Sequence, residues 1–92
     1  MITEFSKIVC IPEINILEKG GEQHIHDVRG VYWLILLENG YNYSDIGRLC
    51  DRTHATILSS IKRIRQLLEI GDKEITLIYE QTKHIRRRYE KR

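Results

Sequence analysis

One apolar run constrains the fold of this 92-residue chain more than any other feature. The run is VYWLILL, residues 31–37, and it has almost no polar face. A segment that is apolar on nearly every side must be buried on nearly every side, so it belongs at the centre of the domain. Its length suits a strand as well as a helix. An N-cap residue at Asp27 and a natural stop at Asn39-Gly40 favour a helix, and we predict a central helix over residues 27–38.

The sequence before this run predicts two short helices. Thr3 is a candidate N-cap for a helix that reaches Val9. Pro12 suits the first turn of a second helix, where no N–H is needed, and Gly20 ends that helix.

The sequence after the run predicts three further helices. Their candidate N-caps are Ser44, Thr53 and Asp72, and Gly71 separates the last two helices. Each helix has an apolar face at helical spacing. In chain order, the three faces comprise Ile46, Leu49 and Cys50; then Ile57, Ile61, Ile64 and Leu68; then Ile75, Ile78, Thr82, Ile85 and Tyr89. We therefore predict an all-α fold, a single domain over residues 1–92 built as a small bundle of five or six helices.

Composition indicates a small cytoplasmic domain. No apolar run approaches the roughly 18–20 residues that a bilayer span requires. The first ten residues include Glu4 and Lys7 and lack the continuous apolar segment of a signal peptide. Cys10 and Cys50 are the only cysteines, and without an export signal buried thiols are expected rather than a disulfide.

Charge and helix order together point to DNA. Residues 1–43 hold three Lys/Arg against six Asp/Glu, whereas residues 44–92 hold twelve against seven, an asymmetry that indicates a polyanionic partner. In the basic half, a short helix, a break at Asp51-Arg52 and a longer amphipathic helix follow the order of a helix-turn-helix unit. In such a unit the first turn of the second helix enters the major groove. The side chains there are short or polar, and they are our candidate DNA-reading residues: Arg52, Thr53, His54, Ala55 and Thr56.

The segment SDIGRLCDRTHATILSSIKRIRQLL, residues 44–68, resembles the C-terminal DNA-binding domain of the bacterial chromosomal replication initiator DnaA. That family carries an IG helix followed by an RDHTTV recognition-helix signature, where this chain has RTHAT and then an Ile. The resemblance extends over residues 27–86, with a motif at 44–69, and covers residues 1–26 less securely. It implies that Arg52, His54 and Thr56 contact DNA. It also implies that Ile57 and Leu58 pack the recognition helix against the body of the domain.

The family pattern is not reproduced at every position. Thr53 stands where the family usually has Asp, and Ala55 stands where it has the first of two Thr, so the family's usual DNA sequence is not implied. The family also has an Arg ahead of the central helix that enters the minor groove. His26 is the best match by position here, and Arg29 lies one turn further on. No phosphate-binding loop of the GxxxxGK[ST] kind occurs, so no nucleotide cofactor is expected.

We predict sequence-specific binding of double-stranded DNA, in replication- or transcription-linked regulation, by a protein that is not an enzyme. Further candidate contacts, to phosphates, are Arg29, Ser44, Lys62 and Arg63. The tail RRRYEKR could add a phosphate clamp or simply place cations at a helix C-terminus. The His and Cys residues match none of the paired spacings of zinc sites, so no metal or other cofactor is expected. The alternative, which Thr53 and Ala55 keep open, is a protein-interaction adaptor that has lost DNA recognition.

Overall fold

Nine consecutive residues of one helix, Val28 to Leu36, are buried and form the centre of the fold. In the structure, a computed structural model that describes residues 1–86, this helix is α3, Gln23–Glu38. Five other described helices surround it: α1 (Ile2–Val9), α2 (Glu13–Leu17), α4 (Tyr43–Cys50), α5 (His54–Glu69) and α6 (Lys73–Thr82). No strand occurs in residues 1–86. The prediction of a small all-α bundle around a central apolar helix is confirmed.

The central helix begins earlier than predicted. Glu22 precedes its first turn, and Asp27 lies inside the helix, so the prediction that Asp27 is the N-cap is wrong. The Asp27 carboxylate instead accepts a hydrogen bond from Gln23 Nε2 at 3.1 Å and forms a salt bridge with Arg63 of α5. No Gly or Pro interrupts residues 22–27, so the backbone can be helical from the end of the Gly20-Gly21 turn.

α5 and α6 pack on α3 through apolar stripes that the sequence predicted. The buried residues of α5 are Ile57, Ile61 and Ile64, and those of α6 are Ile75, Ile78 and Thr82. α3 and α5 pack closely at Gly30, where a Cβ would lie 2.7 Å from Cγ1 of Ile64. A small residue at position 30 therefore sets the spacing of the two longest helices.

Two leucines predicted to face the core are exposed instead. Leu58 is 43% exposed and Leu49 is 59% exposed. Leu58 directly follows the buried Ile57 in α5, and Leu49 directly precedes the buried Cys50 in α4. Neighbouring residues on a helix point about 100° apart, and in both pairs the leucine lies outside the buried face of its helix.

The N-terminal helices α1 and α2 pack against α3. Phe5 of α1 is fully buried, and its ring centroid lies 5.1 Å from that of Tyr32. Met1, not Thr3, occupies the N-cap position of α1. Thr3 lies within the helix, where its hydroxyl donates to Glu13 Oε2 at 2.8 Å and links α1 to α2. The predicted cap is therefore wrong, because α1 already begins at Ile2 and Thr3 lies inside it.

α4 is capped by Asn42 rather than by the predicted Ser44. The Asn42 side chain accepts a hydrogen bond from the Asp45 N–H at 2.8 Å, and the Asp45 carboxylate accepts from the Asn42 N–H at 3.4 Å. This reciprocal pair is a capping box, and it places Ser44 in the first turn with its side chain exposed.

α6 ends earlier than its apolar pattern predicted. The helix stops at Thr82, and the chain then turns so that Ile85 is buried outside the helix. Asn39 Nδ2 donates to the carbonyls of Ile35, at 2.8 Å, and Ile85, at 3.0 Å, and so attaches this segment to the end of α3. Tyr89 and the basic tail beyond Arg86 lie outside the described residues.

The two cysteines are free and differ in environment. Cys50 is buried at the end of α4, as expected for a structural thiol. Cys10 is exposed, so the expectation that both thiols are buried is wrong. Cys10 follows α1 in the left-handed conformation, with a φ of 59°, where the chain turns toward α2.

Candidate nucleic-acid interface

A sharp turn joins α4 to α5, and it requires a glycine beside it. Asp51 ends α4 in the left-handed conformation, with a φ of 56°, and the Arg52 N–H donates to the Gly47 carbonyl at 2.8 Å. A Cβ on residue 47 would lie 2.6 Å from the Arg52 carbonyl oxygen. The IG pair of the sequence therefore has two structural roles, since Ile46 is fully buried and Gly47 allows the close approach of the turn.

The first turn of α5 is capped by Thr53 and exposed, and the residue that follows it is buried. Thr53 Oγ1 accepts a hydrogen bond from the Thr56 N–H at 3.2 Å, so the predicted N-cap is confirmed. Four of the five predicted DNA-reading residues are exposed: Thr53, His54, Ala55 and Thr56. Ile57, directly after them, is fully buried. The structure therefore brings these four side chains together on one accessible turn, at the positive end of the α5 dipole.

Arg52 is half-buried and connects this turn to the rest of the domain. Its Nη2 donates to the Glu18 carbonyl at 3.0 Å, and its Nη1 donates to the Cys50 carbonyl. Its guanidinium carbon lies 5.6 Å from the ring centroid of Trp33, which is a cation–π distance. Arg52 thus attaches the loop after α2 to the turn, a structural role in addition to the DNA contact that the sequence predicts.

Arg29 is buried, so the prediction that it makes a surface contact with DNA is wrong. The residue is 3% exposed. Its Nε donates to the Ile16 carbonyl at 2.9 Å, and its Nη2 donates to the carbonyls of Asn15, at 2.9 Å, and Gly20, at 3.0 Å. Because α3 already begins at Gln23, Arg29 lies well inside the helix and faces α2 instead of standing at an exposed helix start.

Of the other predicted phosphate contacts, Ser44 lies near the first turn of α5, whereas Lys62 and Arg63 lie further along that helix. Ser44 is exposed and lines a surface hollow together with His54. Lys62 is exposed further along α5, and no carboxylate of residues 1–86 forms a salt bridge with it. Arg63 forms a salt bridge with Asp27, so its charge is partly neutralised. His26, the positional match for the minor-groove residue, is exposed, with its Nδ1 3.4 Å from Arg29 Nη1.

Lys19 is a cation beside the turn that the sequence did not indicate. It lies in the loop after α2, its side chain is 70% exposed, and its Nζ is 3.9 Å from Asp51 Oδ2. With Thr53 and Thr56 it lines a hollow at the start of α5. Apolar periodicity identifies the buried faces of helices, and it does not show that a loop cation such as Lys19 lies beside α5. The one sequence signal nearby, Gly20-Gly21, predicts a turn but not the helix against which the turn packs.

Comparison with protein-family models, with curated proteins and with solved structures gives no match for this chain. None of the helices in residues 1–86 combines the length and apolar character needed to cross a membrane. The same residues contain no group of three or more His, Cys, Asp or Glu side chains that could hold a metal ion.

Proposed function

We propose that this domain binds double-stranded DNA with the first turn of α5 in the major groove. The observation that carries the proposal is the exposure of residues 53–56 at the start of a helix whose opposite face is buried. The major groove is wide enough to admit an α-helix. The close approach of Gly47 to Arg52 holds α4 against the start of α5, the arrangement that a helix-turn-helix unit uses.

The chemistry of the turn suits both the reading of bases and the positioning of the helix. A Thr hydroxyl can donate to or accept from a base edge, and the methyl groups of Thr56 and Ala55 can contact a thymine methyl. His54 can donate to a phosphate or to an acceptor on a purine. Lys62 and the backbone N–H groups at the start of α5 would contact phosphates and so fix the register of the domain on the duplex.

The resemblance of residues 44–68 to the DNA-binding domain of the initiator DnaA supports the same proposal. It favours sequence-specific recognition in replication- or transcription-linked regulation. The departures at Thr53 and Ala55 fall on the exposed turn itself. We therefore propose that the preferred DNA sequence differs from the one that the family usually binds, since Asp can accept from a cytosine amino group and Thr is less selective.

Selection from random duplexes at two salt concentrations tests the proposal. We expect enrichment of particular sequences and an affinity that falls as salt rises, because binding releases counterions from phosphates. Loss of both side chains in His54→Ala/Thr56→Ala should reduce sequence preference without changing the helical circular dichroism signal. The matched control, Lys73→Ala/Gln81→Ala, alters two exposed residues of α6 and should leave binding unchanged. No binding at low salt, or unaltered selectivity in the α5 variant, would contradict the proposal.

A second candidate is a protein-interaction adaptor, and a different part of the surface favours it. Leu58 is 43% exposed and lines a groove with Tyr43 and Lys62. Apolar side chains exposed in a groove are typical of protein-binding surfaces. Under this alternative the wild-type protein selects no duplex. Leu58→Ser then abolishes capture of a protein partner, whereas the His54→Ala/Thr56→Ala variant still captures that partner.

A further inference from the structure

A cavity of about 490 Å³ opens between α3, α5 and the loop that follows α2. Its lining includes Gly30, Trp33 and Ile64, beside the close contact between α3 and α5. Four cationic side chains also line it: Lys19, Arg29, Arg52 and Arg63. No carboxylate of residues 1–86 belongs to the lining. The volume lies within the range of about 300–1,000 Å³ that is usual for small-ligand sites.

The charge of Arg29 is the strongest indication of what this cavity binds. The residue is 3% exposed, and within residues 1–86 no carboxylate forms a salt bridge with it. Its hydrogen bonds are to three neutral carbonyls and to the ring of His26. Burial, and then repulsion from Arg52, lowers the pKa of Arg29, so both effects disfavour the charged form. A buried cation without a counter-ion is costly, and an anion in the adjoining cavity would offset that cost.

Groups that can contact an anion line the same cavity. Thr56 and Ser60 lie one turn apart on α5 and contribute hydroxyl groups, while Arg52 and Arg63 contribute guanidinium groups. The Arg63 side chain is 48% exposed, and its partner Asp27 does not line the cavity, so a ligand can compete for it. Guanidinium forks together with hydroxyl donors match the geometry of phosphate oxygens.

We propose that this cavity is a binding site for a phosphate group, with Arg52, Arg63 and the Thr56 and Ser60 hydroxyls in contact and Arg29 supplying charge from the wall. The phosphate has two possible sources. One is the backbone of a bound duplex, and this form of the proposal rests on the proposed function. The other is a free phosphate compound that binds without DNA, and this form does not.

Trp33 provides a direct readout, since it is the single tryptophan of the chain and it lies in the cavity beneath Arg52. Sodium pyrophosphate would be titrated into the full chain while tryptophan emission and thermal unfolding are followed. Sodium chloride at matched ionic strength serves as the reference. We expect a saturable change in emission and a rise in Tm with pyrophosphate, because a ligand that binds only the folded state stabilises it. A response no larger than that to chloride would overturn the proposal.

Two substitutions on α5 locate the site. Arg63→Gln should weaken pyrophosphate binding about tenfold, the effect of losing one charge-assisted hydrogen bond. Arg65→Gln removes the same charge from the same helix, but Arg65 lines the groove beside Tyr43, so its affinity should stay that of the wild type. Asp27→Asn should strengthen binding, because Arg63 then loses its competing partner. Equal losses in the Arg63 and Arg65 variants would overturn the assignment to this cavity.

Competition with a labelled duplex distinguishes the two sources. If the site takes a backbone phosphate, pyrophosphate displaces the duplex more strongly than chloride does, and Arg63→Gln weakens the binding of both. If the protein binds pyrophosphate but no duplex, the proposed function fails and the phosphate site stands. If the protein binds a duplex but gives no pyrophosphate response, the phosphate site fails and the proposed function stands.

Discussion

The Arg52 carbonyl oxygen lies only 2.6 Å from the point that a Cβ on Gly47 would occupy. The same two residues are joined by a hydrogen bond from the Arg52 N–H to the Gly47 carbonyl. Because α5 begins two residues after Arg52, this backbone contact determines where its first turn lies. One glycine of α4 therefore positions the four exposed residues that we propose enter the major groove.

Gly47→Ala should lower the free energy of unfolding by about 1–2 kcal/mol. The overlap with a backbone carbonyl has a cost typical of overpacking, about 1–3 kcal/mol, and the better helix propensity of Ala returns up to about 1 kcal/mol. Gly30→Ala is the comparison, since its Cβ would meet Cγ1 of the Ile64 side chain, at 2.7 Å, rather than a backbone atom. Urea denaturation measures both variants. A larger loss for Gly30→Ala than for Gly47→Ala would contradict this explanation.

Arg29→Lys should destabilise the fold by about 2 kcal/mol, because a lysine ammonium cannot reproduce the guanidinium fork that reaches three carbonyls. Amide hydrogen exchange in α2 should accelerate, since those carbonyls lie in α2 and the loop after it. Arg48→Lys is the control. Arg48 is exposed and pairs with Asp45 within α4, so its replacement should change stability by less than about 0.5 kcal/mol. Equal effects of the two substitutions would show that the buried contacts contribute little.

Arg29 also shows where prediction from the sequence ends. The central helix and the caps at Thr53 and Asp72 depend on neighbouring residues, and these predictions are confirmed. The burial of Arg29 depends on carbonyls 9 to 14 positions away, which reach it only because α2 folds back onto α3. A local pattern contains no information about that packing, so the sequence predicts a surface position for an arginine near a helix start.

The candidate site likewise has features that the local sequence predicts and features that it does not. The exposure of residues 53–56 follows from the cap and from the apolar stripe that begins at Ile57, and both can be read locally. The positions of Lys19 and Ile85 cannot be predicted in this way. Lys19 lies beside α5 because Arg52 binds the carbonyl of residue 18, across 34 positions of chain. Ile85 leaves the helical pattern where Asn39 binds its carbonyl, across 46 positions.

Asn42→Ala should destabilise the domain by about 1 kcal/mol, and Ser44→Ala by much less. Only Asn42 accepts the hydrogen bond from the Asp45 N–H, and loss of an N-cap typically costs about 0.5–2 kcal/mol. Ser44 lies in the first turn of α4 with its side chain exposed. Chemical denaturation of the two variants measures the difference. An equal or larger loss for Ser44→Ala would mean that the cap is assigned to the wrong residue.

Tyr79 should make stability depend on pH under alkaline conditions. Burial, and then the hydrogen bond to Glu38 and its charge, raise the pKa of Tyr79 to about 12 from the ordinary value of 10.0. Because the folded pKa is the higher one, this stabilisation is complete below about pH 10 and is lost as the pH rises toward 12. Tyr79→Phe should remove this part of the pH dependence, as measured by urea denaturation over that range.

Glu38→Gln tests the cause of this shift. Removing the carboxylate that accepts from the phenol should lower the pKa of Tyr79, as followed by the ultraviolet absorbance of tyrosinate. Glu80→Gln removes an acidic charge that contributes less to the shift, so it should lower the pKa by a smaller amount. The opposite order would contradict the role of the Glu38 hydrogen bond.

Lys62→Gln should weaken duplex binding by roughly the same factor, about three- to fivefold, for every DNA sequence. Lys62 is exposed on α5 beyond the first turn that we propose enters the major groove. It would therefore contact phosphates, which carry no sequence information. The slope of log affinity against log salt should fall by about 1, because one fewer counterion is released. Lys73→Gln removes an exposed charge from α6 and should change neither quantity. A Lys62 variant that selects a different sequence would show instead that this side chain reads bases, and the reading surface would then extend along α5 beyond its first turn.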